Sequence, residues 1–219
     1  MAGLVFDFDS TLVPCESLEV LLARDGALGA AEQAEIEAIT NAGMEGRLDF
    51  ETSLRQRLAI AQPTRAATET LAEALAADLT TGVEPLVEDL RGAGHEVWIV
   101  SGGFREILLA TGRRLGLEPA HVQGVQPLWA ADGAFADFDP SNGFLSSKVE
   151  GLRRLGQLPP SPRVGVGDGA TDLALREAGL VDVFVAYTEH ARREGVVAGA
   201  DFEATNMEDL RGILGRLWS

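Results

Sequence analysis

The chain has 219 residues, 46% of them hydrophobic and 24% charged, a balance that supports one sizeable core and excludes disorder, collagen and coiled coil. Its 18 Lys and Arg stand against 34 Asp and Glu, a net charge of −16 that repels phosphate backbones and anionic lipid. Neither nucleic acid nor a membrane surface is therefore an expected partner, and an anionic substrate has to be drawn in by a metal ion or a well-placed Lys.

The first predicted strand covers Gly3–Asp9, where the apolar run Leu4-Val5-Phe6 leads into Asp7-Phe8-Asp9-Ser10-Thr11-Leu12. Side chains two apart on a strand share a face, so Asp7 and Asp9 should point the same way at the strand's end. From Pro14 to Thr80 there is no strand signal. Apolar residues recur at helical spacing (Leu18, Leu21, Leu22; Ile36, Ile39; Phe50, Leu54, Leu58; Leu71, Leu75, Leu79), and Gly and Pro divide the block into about four helices. Within it Cys15 is the single cysteine, which excludes intrachain disulfides and CxxC metal or redox sites.

A second strand, Glu96–Gly103, ends in Ser101-Gly102-Gly103-Phe104 and is followed by a helical pattern over Arg105–Leu115. A hydroxyl and two glycines before a helix form a cradle for an oxyanion. Val122 to Leu145 reads as irregular, with a hairpin turn at Asp132-Gly133. Lys148 opens a helix over Lys148–Leu155, an end where the dipole disfavours a cation but where a phosphate-seeking Lys would be placed. The third strand, Arg163–Gly169, ends in Gly167-Asp168-Gly169-Ala170-Thr171-Asp172, ahead of a helix at Leu173–Ala178. A fourth strand, Val181–Tyr187, and a C-terminal helix capped by Asn206 complete the pattern.

Strands alternating with helices predict an α/β fold, a Rossmann-like doubly wound parallel sheet whose polar residues gather at the carboxyl ends of its strands. The helical block is then an inserted cap, giving a core of residues 1–13 and 81–219 and a cap of 14–80, hinged near Pro14 and Thr80–Gly82. Two strand ends carrying acid pairs would repel strongly if adjacent, at about 4 kcal/mol per pair at ~4 Å, and so call for a divalent cation. Oxygen ligands on few side chains suit Mg²⁺. The scattered His95, His121 and His190 do not make a zinc site. No apolar run nears the roughly 18 residues of a membrane span, and the N-terminus lacks the basic region of a secretory signal. The expectation is a soluble, cytoplasmic protein.

The DFDSTL start, the SGGF segment, Lys148 and GDGATDL, in this order, resemble the haloacid dehalogenase superfamily of phosphotransferases. The resemblance implies a nucleophile at Asp7, forming an aspartyl-phosphate, and an acid and base at Asp9. Mg²⁺ would be held by Asp7, the Asp9 backbone carbonyl and Asp168, with Asp172 behind them. Ser101, Gly102 and Lys148 would grip the phosphoryl group. It further implies O-phospho-L-serine as the small-molecule substrate, at the last step of serine biosynthesis. Glu16 would take its ammonium and Arg57 its carboxylate, Phe50 and Met44 would line the pocket, and Thr171 would contact product. Phe50 and Arg57 lie within about 20° of one helix face. Two alternatives stay open: the same chemistry on another small phosphate ester or acceptor, and a catalytically idle binding domain. A homo-oligomer is compatible with either.

Overall fold

The computed structural model describes residues 1–24, 28–44 and 47–218, with the side chains of 24, 41 and 44 outside that description. In chain order, β1 (Gly3–Phe6) leads to four helices, α1 (Ser17–Arg24), α2 (Ala30–Met44), α3 (Phe50–Ala61) and α4 (Arg65–Ala77). Then come α5 (Val83–Gly92), β2 (Glu96–Phe104), α6 (Arg105–Arg114), β3 (Val122–Val125), β4 (Pro127–Trp129) and β5 (Phe135–Phe138). The remainder is α7 (Lys148–Leu155), β6 (Arg163–Gly167), α8 (Ala170–Glu177), β7 (Val183–Tyr187), α9 (Glu194–Gly199), β8 (Phe202–Ala204) and α10 (Met207–Leu217).

Six strands form one parallel sheet in the order β3-β2-β1-β6-β7-β8. β1 lies between β2 and β6, and all four of its residues are buried, as expected of a strand covered on both faces. The chain leaves β1 toward β2 on one side and returns to β6 on the other, so the crevice at its carboxyl end is a topological switch point. Helices α1 to α4 are inserted between β1 and α5, on the side where β1 ends. Thr80 N–H donates to the Leu12 carbonyl at 2.9 Å, tying the two connections together. Beside them Gly82 takes φ +91°, a left-handed conformation that favours glycine. None of the described helices is long and apolar enough to cross a membrane.

The structure departs from the sequence reading in places with clear causes. β1 stops at Phe6, because the Phe8 carbonyl accepts from Thr11, Leu12 and Val13 and turns the chain out of the sheet. Asp7 and Asp9 therefore reach the crevice from a tight loop, not by strand alternation. β2 runs through both glycines to Phe104 and α6 starts at Arg105, as the strand over Glu96–Gly103 and the helix from Arg105 predict, and what the spacing does not show is the register shift against β3 between Val100 and Phe104. The glycine backbone is a bulged strand end that leads directly into the helix. α8 begins at Ala170, earlier than expected, which places Asp172 in its first turn. The stretch read as irregular contributes an edge strand, β3, to the main sheet as well as the β4–β5 hairpin around Gly133.

Helix α7 is set by a close approach: a Cβ at Gly151 would lie 2.3 Å from the buried Phe144 ring. In an open helix Gly→Ala stabilises by about 1 kcal/mol. Here the ring reverses the sign, and Gly151→Ala should cost about 1–3 kcal/mol through overpacking. Urea unfolding would read this as a lower midpoint at unchanged slope.

Candidate active site

Asp7, Lys148, Asp168 and Asp172 come from three separate segments and meet at the carboxyl ends of β1 and β6. Asp7 N–H donates to the Val166 carbonyl at 2.8 Å, fixing the end of β1 against β6. The Oδ1 atom of Asp7 accepts from Phe8 N–H at 2.7 Å and lies 2.6 Å from Lys148 Nζ. Lys148 is 5% exposed, and its ammonium reaches Asp172 Oδ1, also at 2.6 Å. Its place at the first position of α7, after an N-cap Ser147 that accepts from Glu150 N–H, is unfavourable to the helix dipole. Two carboxylates outweigh that penalty. Burial alone would depress the ammonium, but Asp172 and Asp7 hold it above its ordinary value.

Asp172 completes its environment with Oδ2, which accepts from Gly169 N–H at 3.1 Å at the start of α8. The glycines around Asp168 follow from this packing, since a Cβ at Gly167 would stand 2.4 Å from the Asp172 carboxyl carbon. Burial and Asp7 push the Asp172 carboxyl up, and Lys148 pulls it the other way.

Asp9 lies one step toward solvent. Its Oδ1 accepts from Ser17 N–H at 2.8 Å, where α1 begins. A Cβ at Gly103 would stand 3.7 Å from Asp9 Oδ2 and 3.4 Å from Ser101 Oγ, so the two side chains share one corner of the crevice. Burial, with the charges of Asp7 and Glu16, pushes the Asp9 carboxyl up to about 7 against the lowering hydrogen bonds from Ser17. Ser101 is 1% exposed and accepts from Gly103 N–H at 3.0 Å.

Asp7, Asp168 and Asp172 offer oxygens within 4.8 Å of one another, all buried. Asp168 Oδ2 is buried with no hydrogen-bond partner among the described residues, although the Arg193 guanidinium makes ionic contact with it. Three carboxylates against the buried Lys148 and the half-exposed Arg193 still leave the cluster net negative in a desolvated pocket, a charge that a cation would offset. An all-oxygen donor set suits a hard cation. The residues present fit a metal ion.

The inserted helices supply the other wall. Glu16 precedes α1 and accepts from Ser10 Oγ at 2.8 Å. Phe50 opens α3 and leans over Gly102, where a Cβ would be 3.3 Å from its Cζ. Arg57, further along α3, is 7% exposed and turned toward α1 and α2, with Nη1 at 2.7 Å from Glu19. Thr171 is exposed in the first turn of α8. Met44 ends α2, but its side chain lies outside the described residues, as do Glu45 and Gly46.

Sequence reasoning missed Arg193. Its Nη1 also donates to the Asp168 carbonyl at 3.2 Å, and Nη2 lies 3.8 Å from Glu16, so one guanidinium bridges the acid cluster and the first inserted helix. The available signal was its place in the loop after β7, at the strand edge where ligands collect.

Fold and site together define a hydrolase-type α/β core with a buried acid cluster at the carboxyl ends of β1 and β6. The family model for haloacid dehalogenase-like hydrolases matches residues 4–177, and the chain belongs to that family. Its relatives include phosphoserine phosphatases. The chloroplastic phosphoserine phosphatase of Arabidopsis thaliana is 31% identical over 210 residues, covering 94% of this chain and 69% of that protein. A phosphoserine phosphohydrolase-like protein from Francisella tularensis superposes with a TM-score of 0.89 at 37% identity, over 97% of this chain and 99% of that one. A substrate-bound phosphoserine phosphatase superposes with a TM-score of 0.72 at 27% identity, over 98% and 97% of the two chains.

Proposed function

We propose that the protein is a Mg²⁺-dependent phosphomonoesterase that hydrolyses O-phospho-L-serine to L-serine and phosphate. The observation that carries this reading is the Asp7 carboxylate. One of its oxygens is anchored by Phe8 N–H and Lys148, and Oδ2 has no hydrogen-bond partner among the described residues. An anchored carboxylate with one free oxygen is a positioned nucleophile.

Asp7 Oδ2 attacks phosphorus as the bond from phosphorus to the serine oxygen breaks, giving an aspartyl-phosphate. Asp9 hands its proton to the departing oxygen. With Oδ1 engaged by Ser17 N–H, the proton resides on Oδ2, and a carboxyl raised to about 7 carries it near neutrality. The Asp9 carboxylate then takes a proton from water, the water oxygen attacks phosphorus, and the bond to Asp7 breaks to release phosphate. Ser101 Oγ, the Gly102 backbone and Lys148 hold the phosphoryl oxygens. Mg²⁺ on Asp7, Asp168 and the Asp9 carbonyl, backed by Asp172, would supply positive charge against the phosphoryl oxygens.

The inserted helices act as the cap and recognise the amino acid. Glu16 at the cleft takes the ammonium, and Arg57 takes the carboxylate, for which its planar fork is suited. Phe50 excludes water above Gly102, and Met44 lines the same pocket. Thr171 contacts the product. Arg193, beside Glu16 and Asp168, adds positive potential at the mouth of a strongly acidic molecule.

Serine and phosphate release from L-phosphoserine, phosphothreonine and an aryl phosphate, with Mg²⁺ and with chelator, tests this. We expect turnover only with Mg²⁺, with phosphoserine preferred by at least about tenfold in kcat/KM. Turnover of the aryl ester without phosphoserine would leave the core chemistry standing and discard the recognition account.

A further inference from the structure

Arg57 is a buried cation, and the group that neutralises it has no assigned role. Glu19 Oε1, on α1, accepts from Arg57 Nη1 at 2.7 Å on α3 and from Thr40 Oγ1 at 3.2 Å on α2. Arg57 Nη1 is also 3.4 Å from Thr40 Oγ1, and Nε donates to the Ser53 carbonyl at 3.4 Å. One carboxylate oxygen therefore gathers three of the four inserted helices around the guanidinium. Nη2 makes no hydrogen bond with any described residue.

We propose that Glu19 is a positioning residue for carboxylate recognition: it fixes the Arg57 guanidinium through Nη1 and leaves Nη2 for the substrate. This rests on the reading of Arg57 as the partner of the substrate carboxylate. Glu19 has the wrong charge to touch that carboxylate itself, so its contribution passes through Arg57. A long side chain with an unpaired head samples several rotamers, and binding then requires ordering it. Prior fixation of Nε by Ser53 and of Nη1 by Glu19 removes that requirement. The geometry of the fork, and not net charge, is what Glu19 supplies, so a neutral acceptor of the same length should largely replace it.

The test uses the Mg²⁺-loaded enzyme and serine release as the readout, with inorganic phosphate as a competitive inhibitor lacking a carboxylate. Glu19→Ala should raise KM for phosphoserine about tenfold or more, with a far smaller fall in kcat. The inhibition constant for phosphate should stay within about twofold of the parent. Glu19→Gln should recover most of the KM. Equal changes in KM and in phosphate inhibition would show that Glu19 merely holds the helices together, and overturn the proposal. An unchanged KM, or a Gln variant as impaired as Ala, would overturn it too. Arg57→Ala separates the two levels: if it leaves KM for phosphoserine unaltered, the reading of Arg57 fails; if it raises KM and Glu19→Ala does not, only the role of Glu19 fails.

Discussion

Asp7→Asn abolishes phosphoserine hydrolysis, with kcat/KM falling by about 10⁴-fold or more. The amide keeps the shape and can still accept from Phe8 N–H and Lys148, but its nitrogen and carbonyl oxygen are poor nucleophiles toward phosphorus. Stability should hold. The substitution removes a charge that repels the buried Asp172, while Lys148 keeps Asp172 as its partner. A melting temperature within a few degrees of the parent, together with no phosphate release, separates loss of the nucleophile from loss of the fold. Activity within tenfold of the parent would remove Asp7 from the mechanism.

Lys148→Met should be the most destabilising single change at the site. It strands Asp7 and Asp172 in a pocket where both are less than one-tenth exposed. Removing one partner of a buried ion pair costs about 3–5 kcal/mol because the remaining charge is left uncompensated. For a chain of this size that corresponds to a loss of roughly 6–20 °C in melting temperature. Surface pairs such as Arg113 with Glu73 offer a contrast, being exposed and worth well under about 1 kcal/mol. The cause can be checked with a double-mutant cycle. Lys148→Met combined with Asp172→Asn removes one stranded charge and should recover about 1 kcal/mol or more of the single variant's loss, measured by denaturant unfolding in chelator. No recovery would mean that Lys148 acts through packing of its stem rather than by charge compensation.

The acid motifs were readable because each is a short segment whose meaning is local. An apolar run ending in Asp marks a buried strand emerging at its carboxyl edge, and a parallel sheet collects such edges on one side. This reasoning located Asp7, Asp168 and Asp172 before any contact was known. It was less reliable over backbone detail. The alternation argument for Asp7 and Asp9 reached the right crevice from a strand that ends at Phe6. The glycines after Ser101 mark the strand end before a helix, as read, but the bulge in their register against β3 depends on a neighbouring strand and leaves no local signal.

Helix spacing in the inserted block marked Arg57 at the edge of an apolar stripe, yet could not say what it faces. Its partner Glu19 is 38 residues away on another helix, and periodicity within one helix carries no information about the next. Arg193 escaped notice for a similar reason: one arginine of an adjacent pair turns inward to Asp168, while Arg192 pairs with the exposed Glu203.

By itself, then, the amino-acid order determined the parallel α/β core, the helical insertion after the first strand and the acids at the strand ends, because strand, helix and turn preferences act over a few neighbouring residues. Only the tertiary structure decided that Lys148 is shared between Asp7 and Asp172, that Phe50 closes over Gly102, and that Glu19 holds Arg57. Those pairings depend on how elements distant in the chain pack. Burial then makes the Lys148 pairings compulsory, since a charge taken out of water must find its counter-charge within hydrogen-bond reach.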